Sequence, residues 1–148
     1  MGIEFRIASV KDLKTVTDIA SELFVESSRE ELKKEFAELL KDDEAKIFLA
    51  FVGGECAGFA QVQLRHDYVE GCETSPVGYL EGIYVREKFR HQGIAGTLLK
   101  NCENWAKTSG CTEFASDCEF CNTTSQLFHK KVGFEEANKI VCFKKKLD

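Results

Sequence analysis

The sequence predicts a single α/β domain, a mixed central β-sheet flanked by helices. Three observations predict it. Short apolar runs of strand length alternate with helical-period segments, one long amphipathic helix directly follows an apolar strand, and no repeat, low-complexity tract or Pro/Ser-rich linker divides the 148 residues. A chain of this length hides roughly 68–70% of its unfolded surface, enough for one substantial core.

Residues 3–8 read as the first strand. Ser9 then caps a helix whose Leu13, Val16, Ala20, Leu23 and Phe24 share one face. Ser28 and Glu31 form a capping box that opens a second helix, with Leu32, Phe36, Leu39 and Leu40 at helical spacing. The apolar run 47–52 ends at Gly53-Gly54, a hairpin signal, and the returning strand alternates Ala60, Val62 and Leu64 with Gln61 and Gln63. A loop spans 67–78. The strand 79–85 is nearly apolar throughout, as a strand covered on both faces is. Residues 93–108 give the clearest helix, with Ala95, Leu98, Leu99, Cys102, Trp105 and Ala106 on one side. A strand over 113–117, a helix over 123–131 and a last strand or hairpin over 134–145 complete the order β-α-α-β-β-β-α-β-α-β.

Composition narrows the function classes. The chain is 43% apolar and 30% charged with one proline, and its net charge of −5 disfavours a nucleic-acid or anionic-membrane partner. No apolar run approaches the ~20 residues of a membrane span, and the N-terminus lacks a signal-peptide core. Seven irregularly spaced cysteines, an odd number, suit reduced thiols in the cytoplasm. Cys118 and Cys121 form a lone C-x-x-C with no second half, so no metal is expected.

The segment 85–96 carries the strongest chemical signal. A strand ends, a turn with Arg86, Lys88, Arg90 and His91 follows, and Gly93 and Gly96 open the long helix. Such a helix entry exposes main-chain N–H groups at a positive terminus, a site for phosphate oxygens, and glycines let the anion come close. Neither a nucleoside-triphosphate P-loop nor a dinucleotide fingerprint is present. A helix entry that binds nothing fits the same spacing.

These residues resemble the GNAT superfamily of acetyl-CoA-dependent N-acetyltransferases. The family's pyrophosphate pattern, Arg/Gln-x-x-Gly-x-Gly/Ala, is matched by Arg90, Gly93 and Ala95, and a second element by Asn122 ahead of Phe128-His129 and Gly133-Phe134. The resemblance covers essentially the whole chain and implies the GNAT fold, with acetyl-CoA as co-substrate. It implies that His91 and the amides of Gln92, Gly93, Ile94, Ala95 and Gly96 hold the coenzyme pyrophosphate, with Arg90 beside them. Ile83, Tyr84 and Val85 would pair with the pantetheine arm where the strand bulges, and an N–H near Ile83 would polarise the thioester carbonyl. Asn122 would contact coenzyme A. His129 stands where relatives often have the Tyr that protonates the departing thiolate, and a role in packing its helix is the alternative.

Charge points to the acceptor. Asp67, Glu70, Glu73 and Glu81 lie in 67–85, and Glu113, Asp117 and Glu119 in 112–129, with no Lys or Arg in the first stretch and none before His129 in the second. In the GNAT arrangement both stretches border the acceptor, and the basic turn faces the coenzyme. Polyamines and polycationic sugars suit such a site. Glu81 stands in an apolar strand, where a carboxylate needs a partner or a wet cleft. It is the candidate proton acceptor, and satisfaction by backbone donors at a bulge is the alternative. A carboxylate favours the ammonium, so its catalytic value lies in taking the proton as the amine attacks.

A more specific likeness covers Leu64–Gly71 and Ser75–Val85, which resemble the aminoglycoside 6′-N-acetyltransferases, in particular a dimeric subgroup of this length whose activity confers antibiotic resistance. It implies that Phe24, Tyr68, Glu81 and Asp117 line the substrate pocket, with transfer direct in a ternary complex. Relatives often have Leu-Trp where this chain has Leu23-Phe24, and a Pro-containing turn at Ser27-Ser28. A GNAT enzyme for polyamines or a protein amine, and a non-catalytic acyl-CoA-binding module, are the competing readings; Glu81 beside the coenzyme loop argues against the last. Ile140, Val141 and Phe143 fit either a strand paired across subunits of a homodimer or an ordinary core strand.

Overall fold

A computed structural model of the protein describes residues 2–148. The elements are β1 (Ile3–Ile7), α1 (Leu13–Leu23), α2 (Arg29–Leu39), β2 (Ala45–Val52), β3 (Glu55–Arg65), β4 (Val77–Val85), α3 (Ile94–Thr108), β5 (Phe114–Ser116) and α4 (Thr123–Lys131). The strands form one sheet in sequence order, antiparallel from β1 to β4, with β5 parallel to β4. The chain is thus a single mixed α/β domain.

Each sheet face has its own core. Val16, Ile19 and Ala20 of α1 and Leu32 and Phe36 of α2 pack with Leu49 and Phe59 on one face. Leu98, Leu99 and Cys102 of α3 pack with Ala60, Val62 and Leu80 on the other. The helices take these faces because their apolar residues recur at helical spacing. Ser28 Oγ accepts from the Glu31 N–H at 3.1 Å, satisfying one orphan donor at the start of α2.

The chain differs from the expected α1 start. A 3-10 turn, Val10–Asp12, intervenes, and Asp12 works in place of a Ser9 side-chain cap: its carboxylate accepts from the Ser9 N–H at 2.8 Å. Both terminal Arg6 nitrogens also donate to it at 2.8 Å, tying β1 to the start of α1. Those bonds pull the Asp12 carboxyl down to about 2 from an ordinary 3.8. A lowered folded-state value stabilises fully above the unfolded one and fades as pH falls through the folded one. Asp12→Asn is therefore expected to cost about 1–2 kcal/mol at neutral pH. Urea unfolding checks this, with the gap between wild type and variant closing near pH 2.

Two further departures matter. Gln61 is not on a polar face: it is 5% exposed, because β3 is a central strand covered on both sides. The expected strand or hairpin over 134–145 is absent, since the segment after α4 has no regular structure. Its apolar residues find no strand partner in this chain, and Ile140, Val141 and Phe143 are 64%, 77% and 91% exposed.

Candidate active site

The site begins with a misfit between two strands. Gln61 pairs with Gly82 and Val62 with Leu80, so Glu81 is the extra residue of a β-bulge in β4. On the other edge β4 pairs with β5 only at Gly78, Tyr79 and Leu80. Beyond the Leu80–Ser116 pair the strands part, and the edge carrying Ile83, Tyr84 and Val85 faces no strand. That open edge can hydrogen-bond an extended ligand as an added strand does.

The basic turn follows β4. Gly93 has φ +78°, a left-handed conformation that suits glycine, and it caps α3. The first helical bond runs from the Thr97 N–H to Gly93 O, at 3.2 Å. Among the described residues, no main-chain N–H from His91 to Gly96 donates within the chain. A Cβ added at Gly93 or Gly96 would meet nothing within 4 Å. Six free amides at an open helix entry therefore fit a diphosphate.

The cations of the turn are not all turned that way. Arg86 donates to Glu22 at 3.0 Å and to Cys56 O at 2.8 Å, and Lys88 pairs with Glu55 at 2.9 Å. The expected division into a cationic coenzyme side thus holds fewer free cations than the sequence suggests, because acids brought near by folding take two of them. Arg90 donates its Nε–H to Val85 O at 2.8 Å, which fixes it against the end of β4.

Glu81 is partnered by a side chain and not by backbone donors. Arg65 Nε and one terminal nitrogen donate to its two oxygens at 3.0 and 2.8 Å. Arg65 Cζ also lies 3.4 Å from the centroid of the Tyr79 ring, and the Tyr79 hydroxyl donates to Asp117. Burial and that carboxylate push the Tyr79 phenol well above its ordinary value, so it stays a neutral donor. Glu81, Arg65, Tyr79 and Asp117 form one chain of contacts. Arg65 was invisible in the acidic stretch because it precedes Asp67 by two residues, at the end of β3. The signal available was its place on the strand directly before that stretch.

Phe24 ends α1 and lies over the bulge: a Cβ on Gly82 would come within 2.9 Å of its ring. Its ring also packs on Phe36 and Phe59, with centroids 6.5 and 6.4 Å away. Tyr68 is exposed and its hydroxyl bonds Glu70 at 2.7 Å, so the structure does not join it to the Glu81 chain. Glu113 serves the loop instead of the cleft, accepting from the Glu73 and Thr74 N–H groups at 2.9 and 2.8 Å.

Asn122 caps α4, its Oδ1 accepting from the Ser125 N–H at 3.0 Å. His129, on α4, has both ring nitrogens engaged. Nδ1 faces Ser125 O at 2.7 Å, and Nε2 meets Ser116 Oγ at 2.8 Å. Tyr79, Ser116, Asp117 and His129 share a cavity of about 600 Å³ with residues 134–140. Among the described residues no group of three or more His, Cys, Asp or Glu is placed to hold a metal ion, and Cys118 and Cys121 are exposed free thiols. No helix is long and apolar enough to cross a membrane.

Free amides at a helix entry, an unpaired strand edge and a bulged carboxylate fit the cleft of an acyl-CoA transferase, and comparison with known proteins points to the same family. The acetyltransferase (GNAT) family model matches residues 13–134. The aminoglycoside N(6′)-acetyltransferase type 1 of Acinetobacter haemolyticus is 40% identical over 141 residues, 95% of this chain and 97% of the relative. That of Serratia marcescens is 42% identical over 126 residues, 84% of this chain and 86% of the relative. The solved structure of AAC(6′)-Iy in complex with the bisubstrate analogue CoA-S-monomethyl-acetylneamine aligns with a TM-score of 0.95 at 33% identity, covering 99% of this chain and 100% of that one. The chain belongs to the GNAT family of acetyltransferases.

Proposed function

We propose that this protein transfers the acetyl group of acetyl-CoA to the 6′-amine of aminoglycosides, directly in a ternary complex, and so confers resistance to them. The observation that carries the reading is the bulged Glu81 beside the open β4 edge, in a cleft whose other carboxylate, Asp117, can hold a second ammonium. Relatives at about 40% identity over most of the chain, named aminoglycoside N(6′)-acetyltransferases, support the same acceptor.

The proposed division of work follows the geometry. Amides of Gln92–Gly96, with His91 and Arg90 alongside, hold the diphosphate. The edge 83–85 pairs with the pantetheine arm, an N–H near Ile83 polarises the thioester carbonyl, and the Nδ2 of Asn122 remains for the coenzyme. Glu81 takes the proton from the attacking amine, Asp117 anchors another ammonium, and Phe24 and Tyr68 offer apolar faces to the sugar rings. His129 serves the leaving thiolate through Ser116, which its Nε2 contacts. Most of the rate gain comes from holding amine and thioester at attack distance. The reading also places the enzyme in the reducing cytoplasm, where its seven cysteines stay thiols.

A comparison of kcat/KM for kanamycin or tobramycin with spermidine and an N-terminal peptide tests the acceptor. The antibiotics are expected to exceed both by about 100-fold or more, which corresponds to roughly 2.7 kcal/mol of transition-state preference. Efficient turnover of spermidine or the peptide with feeble turnover of the antibiotics would overturn it.

The reading includes a homodimer. Ile140, Val141, Cys142 and Phe143 form an apolar run of strand length, yet Ile140, Val141 and Phe143 lie exposed, and the outer edge of β5 is free. Apolar residues with strand patterning and an unpaired sheet edge are matched by a second copy of the same surfaces. Sedimentation is expected to give twice the 16.7 kDa chain mass, and a monomer at micromolar concentration would contradict it.

A further inference from the structure

Ser116 is the last residue of β5 and pairs with Leu80, the point where β4 and β5 begin to part. Its hydroxyl points into that vertex, 3.3 Å from Leu80 O. On the far side His129 Nε2 stands 2.8 Å from the same oxygen. His129 Nδ1 faces only acceptors that are carbonyl or hydroxyl oxygens, Ser125 O at 2.7 Å and Ser125 Oγ at 3.3 Å, so Nδ1 carries a proton. The ring is thus fixed in orientation and tautomer, and Phe134 packs against it with centroids 5.1 Å apart. When Nε2 is also protonated, every hydrogen finds an acceptor: Nδ1–H to Ser125 O, Nε2–H to Ser116 Oγ, and Oγ–H to Leu80 O or to whatever enters the vertex.

The two sides of the sheet divide here. Ala115 packs with Val69, Val77 and Tyr79, and the next side chain on that side, Asp117, accepts from Tyr79. Phe114 packs on the opposite side with Leu80, Val132 and Phe134, and Ser116 follows it in the strand alternation. Glu81 and Arg65 belong to the Tyr79 side. The carboxylate that receives a proton and the hydroxyl that can give one therefore flank the vertex from opposite sides.

We propose that Ser116 is the acid that protonates the departing coenzyme A thiolate, with His129 as the positioning residue that restores its proton. The inference rests on the proposed acetyl transfer. As the amine nitrogen forms its bond to the acetyl carbon, its proton goes to Glu81. The carbon–sulfur bond breaks with its electron pair on sulfur, sulfur takes the Ser116 hydroxyl proton, and Ser116 takes the Nε2 proton of His129. The cycle starts with the His129 ring doubly protonated and leaves Glu81 protonated and His129 neutral, and exchange with water returns both. His129 has no free ring nitrogen to offer the thiolate itself, which is why the proton passes through the serine.

The test uses the full-length enzyme and tobramycin. Ser116→Ala is expected to lower kcat with acetyl-CoA about 10–100-fold, at or below the lower end of general-acid contributions. KM for acetyl-CoA should move less than about threefold, because no contact holding the coenzyme is removed. His129→Gln should give a similar loss, and the double variant should be no slower than either alone, since both act in one relay. Acetyl-seleno-CoA, whose selenolate departs without a proton, separates chemistry from packing. In single turnover with that donor, Ser116→Ala should come within about threefold of wild type. Unchanged kcat with acetyl-CoA, losses that multiply, or a deficit that persists with the selenoester would each overturn the relay. Wild type that fails to acetylate tobramycin at all would instead overturn the proposed function on which the relay rests.

Discussion

Glu81→Gln is expected to lower kcat for tobramycin by about 10²–10³, within the range that a positioned acid or base contributes. Acetyl-CoA affinity should stay within about twofold, because Glu81 is separated from the free amides of 91–96 by the whole end of β4 and the turn. The amide keeps one oxygen for Arg65, so the fold survives. Arg65 is 40% exposed and retains water, and the lost ion pair should cost no more than about 1 kcal/mol. Steady-state kinetics with a titration of acetyl-CoA into the variant separates the two effects. A variant with full turnover would remove Glu81 from the proton path. The position of Arg65 adds a physical point: an acceptor ammonium arriving at Glu81 meets a guanidinium already there. The substrate must therefore share or displace that cation, and its neighbouring Asp117 provides the second carboxylate that makes sharing possible.

Gly96→Asp is expected to split stability from activity. Gly96 is the third residue of α3 and its missing side chain faces open space. An aspartate in the first turn of a helix meets the positive end of the dipole, so Tm should hold or rise. The same carboxylate would stand against the diphosphate. At an effective dielectric constant of 20, two like charges 4 Å apart repel by about 4 kcal/mol, and solvent exposure reduces this. KM for acetyl-CoA should rise about 100-fold or more, while thermal unfolding shows no loss. Equal coenzyme affinity in wild type and variant would mean that the diphosphate lies elsewhere.

Much of this site was legible because local chemistry and global position coincide. A carboxylate in an otherwise apolar strand marked Glu81, and the bulge there leaves it room that a regular strand would not. Glycines at the start of α3 marked a candidate anion cradle, and Gly93 does adopt a positive φ. Helices followed from spacing, with Ser28 capping α2 as its side-chain chemistry dictates. Interactions between residues far apart in the chain were the part not legible. Arg65 reaches Glu81 across 16 positions, and Arg86 reaches Glu22 across 64. Ser116 has no sequence signature of its own and acquires meaning only when α4 delivers His129 to it. The segment after α4 has strand patterning that no other strand of this chain satisfies, so pattern alone could not give its structure.

One measurement addresses acetyl transfer itself. A single turnover of the enzyme with tobramycin and acetyl-CoA labelled with carbon-13 in the acetyl carbonyl, read by two-dimensional NMR of the products, should show one labelled amide, on the 6′ nitrogen. Label remaining in acetyl-CoA, or appearing on a different nitrogen of the sugar, would contradict the reading of the cleft.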